Sequence, residues 1–281
     1  MKILDGKLVR EQSLPILIER IKNLSFVPCL AIIQVGNRPD SDAFIRAKKS
    51  FATKLGIKNI HIQLDEKIEQ DKVLEVINKY NGDSEVIGII VQLPLPIHLN
   101  SEIIIDAISP SKDVDGLTPL NIKRLVDGHD EAIIPATARG IRQLLKFYNI
   151  DLFGKKVTVV GRSTLVGKPI ALMCLNENAT VTVCHSKTQN LEEETKKADV
   201  LIVAIGKPNF IDRNHIRKGQ IVIDVGISRQ LDNSLTGDVN YEEIKDMVDM
   251  ITPVPGGVGQ MTVLAVFENL VDLCYYRNNS N

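Results

Sequence analysis

Apolar runs and helically spaced apolar positions alternate along the first half of the chain. The spacing predicts helices over residues 14–23, 39–55 and 69–81, and short apolar runs predict strands over 28–35, 58–64 and 86–91. A polar stretch rich in turn residues, 109–119, breaks this rhythm. A second alternation then predicts helices over 140–148, 167–176 and 190–198, strands over 156–160, 180–184, 200–205 and 220–225, and a last helix over 262–276. Strands separated by helices of this length imply parallel pairing through right-handed crossovers. The expected fold class is therefore α/β, with two α/β domains flanking a cleft. Their expected bounds are 1–138, with a C-terminal helix 263–281 packing back on that first domain, and 139–262.

One position disturbs the pattern. In the helix at 39–55, Asp40 and Ser41 can cap the N-terminus, and helical spacing then aligns Phe44, Lys48, Phe51 and Leu55 on one stripe. A lysine held against apolar surface tends toward a lowered pKa, which suits proton exchange near neutrality. A lysine at the edge of such a stripe instead carries its charge out to water. The helix alone leaves both readings open.

Composition narrows the classes. With 34 Lys and Arg against 35 Asp and Glu, no net field draws the chain to nucleic acid or to anionic lipid. The longest apolar runs have the length of buried strands and cannot span a bilayer. Residues 1–6 contain no signal-peptide apolar core, so the chain is expected in the cytoplasm. Cys29, Cys174, Cys184 and Cys274 are scattered, without the close pairs of a zinc or redox site, and read as reduced, mostly buried thiols with no metal.

Candidate cofactor chemistry lies in the second half. Gly161-Arg162-Ser163-Thr164-Leu165-Val166-Gly167-Lys168-Pro169 joins a predicted strand to a predicted helix, where glycine admits a pyrophosphate to the backbone. The loop lacks the common G-x-G-x-x-G and also fails as a P-loop, so a plain strand-to-helix turn stays open. The next strand runs into His185-Ser186-Lys187-Thr188, with no carboxylate for ribose hydroxyls. Hydroxyls and a cation there, with Arg162, suit the 2′-phosphate of NADP. The second domain therefore reads as Rossmann-like and NADP-binding. His185 reads as packed or surface, and for Lys187 a merely solvated position stays open. Glycines crowd the later loop 251–262, and one stands in 223–227, as tight turns or a close approach to a planar ligand require.

Taken in order, Ile3-Leu4-Asp5-Gly6-Lys7, Val91-Gln92-Leu93-Pro94-Leu95-Pro96, Lys112-Asp113-Val114-Asp115-Gly116, the Gly161 loop and Thr252-Pro253-Val254-Pro255-Gly256-Gly257-Val258-Gly259 resemble the bifunctional methylenetetrahydrofolate dehydrogenase/methenyltetrahydrofolate cyclohydrolase family. The resemblance covers nearly the whole chain. It implies NADP-dependent oxidation of 5,10-methylenetetrahydrofolate, hydrolysis of the product to 10-formyltetrahydrofolate for one-carbon metabolism and purine biosynthesis, and a homodimer formed through the cofactor domains. By the same likeness Lys48 is catalytic, Gln92 is its polar partner and Asp115 holds the pterin. Phe44, Pro255, Gly256 and Gly257 join them at the folate. Gly161, Arg162 and Ser163 contact phosphates, Ser186 the 2′-phosphate, and Ile227 lies beside the nicotinamide.

Three departures from the family pattern stand out. Phe44 replaces the usual Tyr one turn before the lysine, Ala138 replaces the Pro of a Thr-Pro pair, and Gln260 replaces the Pro after the glycine-rich loop. The Ala138 change is expected to loosen the connection before the second domain a little. Two alternatives remain at this level: another two-domain NADP oxidoreductase, such as the shikimate type, and a catalytically weak or silent NADP-binding relative, which only Phe44 favours.

Overall fold

The computed structural model describes residues 1–230 and 232–279. The elements follow in chain order as β1 (Lys2–Ile3), α1 (Gly6–Lys22), β2 (Cys29–Val35), α2 (Pro39–Leu55), β3 (Lys58–Leu64), α3 (Gln70–Gly82), β4 (Gly88–Val91), α4 (Ser101–Asp106), α5 (Pro119–Asp127) and α6 (Ala136–Phe147). Then come β5 (Lys156–Val160), α7 (Gly167–Asn176), β6 (Thr180–Cys184), α8 (Leu191–Lys196), β7 (Val200–Val203), β8 (Ile221–Asp224), β9 (Ser228–Arg229), β10 (Leu235–Thr236), α9 (Tyr241–Ile244), β11 (Met250–Ile251) and α10 (Val258–Asn279). The last two residues of the expected C-terminal helix lie outside the described residues.

The chain forms two units, one of residues 13–136 with 265–281, the other of residues 1–12 with 137–264. The second grouping differs from the expected boundaries at its start. Lys2 and Ile3 of β1 pair with Met250 and Ile251 of β11, and Gly6 packs so tightly that a Cβ on it would stand 2.2 Å from the Gly257 carbonyl oxygen.

In the 13–136 unit, β2 is the centre of a parallel three-stranded sheet ordered β3-β2-β4. All seven β2 residues are buried, as expected of a central strand in a parallel sheet, and Ile33, Val35, Ile89 and Val91 pack against Val73 and Ile77 of α3. Helix α2 has the expected span, but its start does not use a side-chain cap. Arg38 occupies the cap position without such a bond, Pro39 stands in the first turn, and Ser41 is buried; the Asp40 side chain lies outside the described residues. The helix stops at Gly56, whose left-handed φ of 69° lets its N–H reach back to the last turn.

In the other unit, β1-β11-β8-β7-β5-β6 form one parallel sheet. From β5 the chain steps to β6 on one side and returns to β7 on the other, so the strand order reverses at β5. The α/β class read from the sequence is borne out. All four cysteines are buried free thiols, and no helix among the described residues is long and apolar enough to cross a membrane.

Candidate active site

Lys48 lies on the buried stripe of α2, one turn before Phe51, and is itself only 6% exposed. That settles the choice the helix left open, because its charge is not carried to water. Its ammonium donates a 3.0 Å hydrogen bond to Gln92 Oε1. Gln92 follows β4, and its own amide nitrogen donates to the Leu93 carbonyl at 2.8 Å, so the amide oxygen is turned toward the lysine. Burial pushes the Lys48 pKa down, and the nearby Asp115 charge works against that shift. The Asp115 pKa moves up, chiefly through burial, opposed by Lys48 and reinforced by Asp113. Each group thus favours its neutral form more than it would in water.

The segment carrying Asp115 is held from several sides. Asp113, buried, accepts from the Gly116 N–H at 2.8 Å, the Thr118 N–H at 2.8 Å and the Asn121 side-chain amide at 2.9 Å. Gly116 has φ 70°, and a Cβ there would stand 2.4 Å from the Ile133 carbonyl oxygen, so this turn requires glycine. The role of Asp113 was missed in the sequence, although an acid two positions before Asp115 in a polar turn is a signal for this kind of side-chain-to-backbone turn. Phe44 is half-buried on the turn before Lys48.

The candidate cofactor residues collect at one edge of the six-stranded sheet. Cys184, Val160, Val203 and Asp224 are register partners across β6, β5, β7 and β8, so the loops after these strands emerge side by side. Gly161, Arg162 and Ser163 follow β5 at the point of strand reversal, Ser186 follows β6, and Ile227 follows β8. Gly161 has φ 130° and would set a Cβ 2.2 Å from the Ala204 carbonyl oxygen. A Cβ on Gly167 would stand 2.3 Å from the Gly161 carbonyl oxygen, so the turn into α7 closes only with glycine at both positions. Ser163 Oγ accepts from the Val166 and Gly167 N–H groups at 3.2 and 3.3 Å and ties together the turn that leads into α7. Arg162 and Ser186 are exposed, and His185 serves its own turn, accepting from the Lys187 N–H at 3.1 Å. Pro255, Gly256 and Gly257 lie after β11, where Gly256 accepts from the Lys7 N–H at 3.1 Å. Ala138 is buried in α6, and the Gln260 N–H donates to the Gly257 carbonyl at 3.1 Å in the first turn of α10.

Two buried acids that sequence reasoning passed over organise the same edge. Asp224 accepts from the Gly226, Asp238 and Val239 N–H groups at 2.9 to 3.0 Å. Asp238 Oδ2 accepts from the Ile205 and Gly206 N–H groups at 2.7 and 2.9 Å. The Thr252 hydroxyl accepts from the Asp224 N–H at 2.7 Å, so the loops after β7, β8 and β11 are tied together. Burial pushes the Asp224 carboxyl up to about 6, with the three N–H donors opposing and Asp238 adding to the rise. The signal was an acid ending the apolar strand Ile221–Asp224.

A glycine-closed turn at the reversal point of a parallel sheet, with no acid after the neighbouring strand, fits a phosphorylated dinucleotide, and the class is a dinucleotide-dependent α/β enzyme. Family models narrow it: the tetrahydrofolate dehydrogenase/cyclohydrolase catalytic domain matches residues 4–115, and the NAD(P)-binding domain of the same family matches residues 135–278. The chain belongs to this family. It is 48% identical to the bifunctional protein FolD of Agathobacter rectalis over 273 residues, covering 96% of this chain and 98% of that one. The crystal structure of the bifunctional FolD dehydrogenase/cyclohydrolase of Campylobacter jejuni is 42% identical with a TM-score of 0.96, covering 99% of each chain. The Trypanosoma brucei enzyme, solved with NADP cofactor and inhibitor, is 31% identical with a TM-score of 0.93, covering 98% of each chain.

Proposed function

We propose that this protein oxidises 5,10-methylenetetrahydrofolate with NADP and hydrolyses the resulting 5,10-methenyl compound to 10-formyltetrahydrofolate. The observation that carries the reading is the buried Lys48, hydrogen-bonded to an oriented Gln92 and electrostatically coupled to Asp115, in a chain of this family. NADP, when bound, supplies the acceptor for the hydride that leaves the one-carbon bridge. The chain's own residues then manage water and protons. Water adds to the methenyl carbon and gives up a first proton, and the adduct collapses when a second reaches the departing N5 while the remaining hydroxyl proton passes to solvent. A lysine with a lowered pKa can accept the first as the neutral amine and return the second as the ammonium. Gln92 aims the amine without adding charge. Asp115 accepts from the donor edge of the aminopyrimidinone, and Phe44 stacks on the pterin. Pro255, Gly256 and Gly257 complete the folate contacts.

For NADP, Gly161, Arg162 and Ser163 would meet the phosphates, Ser186 the 2′-phosphate, and Ile227 the nicotinamide. A cytoplasmic homodimer formed through the cofactor domains, supplying purine biosynthesis, belongs to the same reading. Membership of the folate family sets the shikimate-type alternative aside. Purified protein given 5,10-methylenetetrahydrofolate and NADP is expected to form the methenyl compound and then consume it. Absence of turnover with NADP and with NAD, in protein that binds NADP, would instead make it a silent relative.

A further inference from the structure

Asn269 of α10 is fully buried, as are Phe267 and Leu270, whereas Glu268 beside it is half-buried. Its side-chain amide donates to the Val114 carbonyl at 2.8 Å and to the Ile134 carbonyl at 3.0 Å. These acceptors lie 155 and 135 residues away in the chain. Val114 O belongs to the peptide plane that ends in the Asp115 nitrogen, so this bond sets the orientation of that plane. Ile134 belongs to the segment against which Gly116 packs, and the Asp115 carbonyl accepts from the Ala136 N–H at 3.2 Å in the same segment. The backbone on both sides of Asp115 is thereby fixed, and one amide bridges the two segments. A carboxamide is the side chain that offers two N–H donors from one atom without charge. Aspartate there would turn oxygens against oxygens, and serine would offer a single donor. Helix α10 also steadies the lysine side of the site, since Phe267 packs edge-on against Phe51 of α2 with ring centroids 5.4 Å apart.

We propose that Asn269 is a positioning residue for the folate site, holding the Val114 and Ile134 carbonyls so that the Asp115 carboxylate points at the pterin. The inference rests on the reading of Asp115 as the pterin's acceptor. It requires no contact between Asn269 and substrate.

The test is steady-state kinetics of Asn269→Ala and Asn269→Ser, with KM for 5,10-methylenetetrahydrofolate and for NADP measured separately. Loss of folded enzyme lowers the apparent kcat and leaves KM where it was, so a purely structural residue would not move KM. The expected result is a folate KM raised about tenfold in Asn269→Ala, within the range that coupled neighbours show, with the NADP KM unchanged. Asn269→Ser, which keeps one donor, should give a smaller rise and serves alone if the alanine variant does not fold. Asp115→Ala and its combination with Asn269→Ala complete a double-mutant cycle, in which the second substitution should add little to the folate KM. An unchanged folate KM in the Asn269 variants, alongside a raised one in Asp115→Ala, would overturn the positioning role alone. An unchanged folate KM in Asp115→Ala would overturn the reading of Asp115 and this inference with it.

Discussion

Phe44 stands half-buried one turn before Lys48, and in the proposed folate site it would give the pterin a ring without a hydroxyl. The family's tyrosine at this place could share a proton or a hydrogen bond with the lysine; here Gln92 is the partner that the lysine has. Both activities are therefore expected to persist, with a reduced or rebalanced rate. Restoring the phenol in Phe44→Tyr should change at least one of the two rates by about two- to tenfold, the worth of one hydrogen bond in a buried site. Assaying oxidation and hydrolysis separately checks this, and equal rates before and after would show that the missing hydroxyl does not matter. Lys48 was legible in the sequence because a charge on an apolar stripe violates a local pattern. Asn269 was not, because its partners are main-chain carbonyls whose nearness arises only from the packing of α10.

At the scale of elements, the loops after β7, β8 and β11 are tied together through the buried carboxylates of Asp224 and Asp238 and the Thr252 hydroxyl. Asp224 has a folded-state pKa of about 6 against an ordinary value of 3.8. The folded protein therefore binds more protons than the unfolded chain between those values. This group's contribution to stability is fully present below the unfolded pKa and is lost as pH rises through about 6. The wild type should then gain on Asp224→Asn by about 1 kcal/mol between about pH 7 and about pH 5, on top of a pH-independent offset from the altered hydrogen bonds. Urea denaturation of both proteins across that range measures it, and a difference that stays flat with pH would mean that Asp224 ionises as an ordinary surface acid does. The long, periodic elements were readable: α2 and β3 fall at their expected residues, and β5, α7 and β6 do too. Helix α5 was hidden by the turn-rich stretch before it, although Pro119 in its first turn and left-handed Gly128 at its end mark its limits. Strands β1 and β11, of two residues each, are too short to leave a periodic trace and exist through pairing with partners far along the chain.

At the scale of the whole molecule, the α/β class followed from the alternation of strands and helices, and the two activities from the family resemblance carried by motifs dispersed over the chain. What stayed hidden was the grouping of residues 1–12 with 137–264, since neither a two-residue strand nor the fit of Gly6 on Gly257 shows in a sequence pattern. The motif around Gly6 and the motif around Gly257 are one packed contact. Lys112-Asp113-Val114-Asp115-Gly116, for its part, combines Asp115, the proposed acceptor of the pterin, with Asp113, the acid that shapes the same turn.

The central claim is that the neutral amine of Lys48 handles the protons of methenyl hydrolysis. It is tested most directly by the hydrolysis rate of 5,10-methenyltetrahydrofolate in wild type and in Lys48→Gln, with NADP binding measured in both to confirm an intact cofactor unit. Lys48→Gln is expected to bind NADP as the wild type does and to hydrolyse the methenyl compound at least about a hundredfold more slowly, the lower end of what a positioned acid-base group contributes. Hydrolysis within about twofold of the wild-type rate, far short of that contribution, would contradict it.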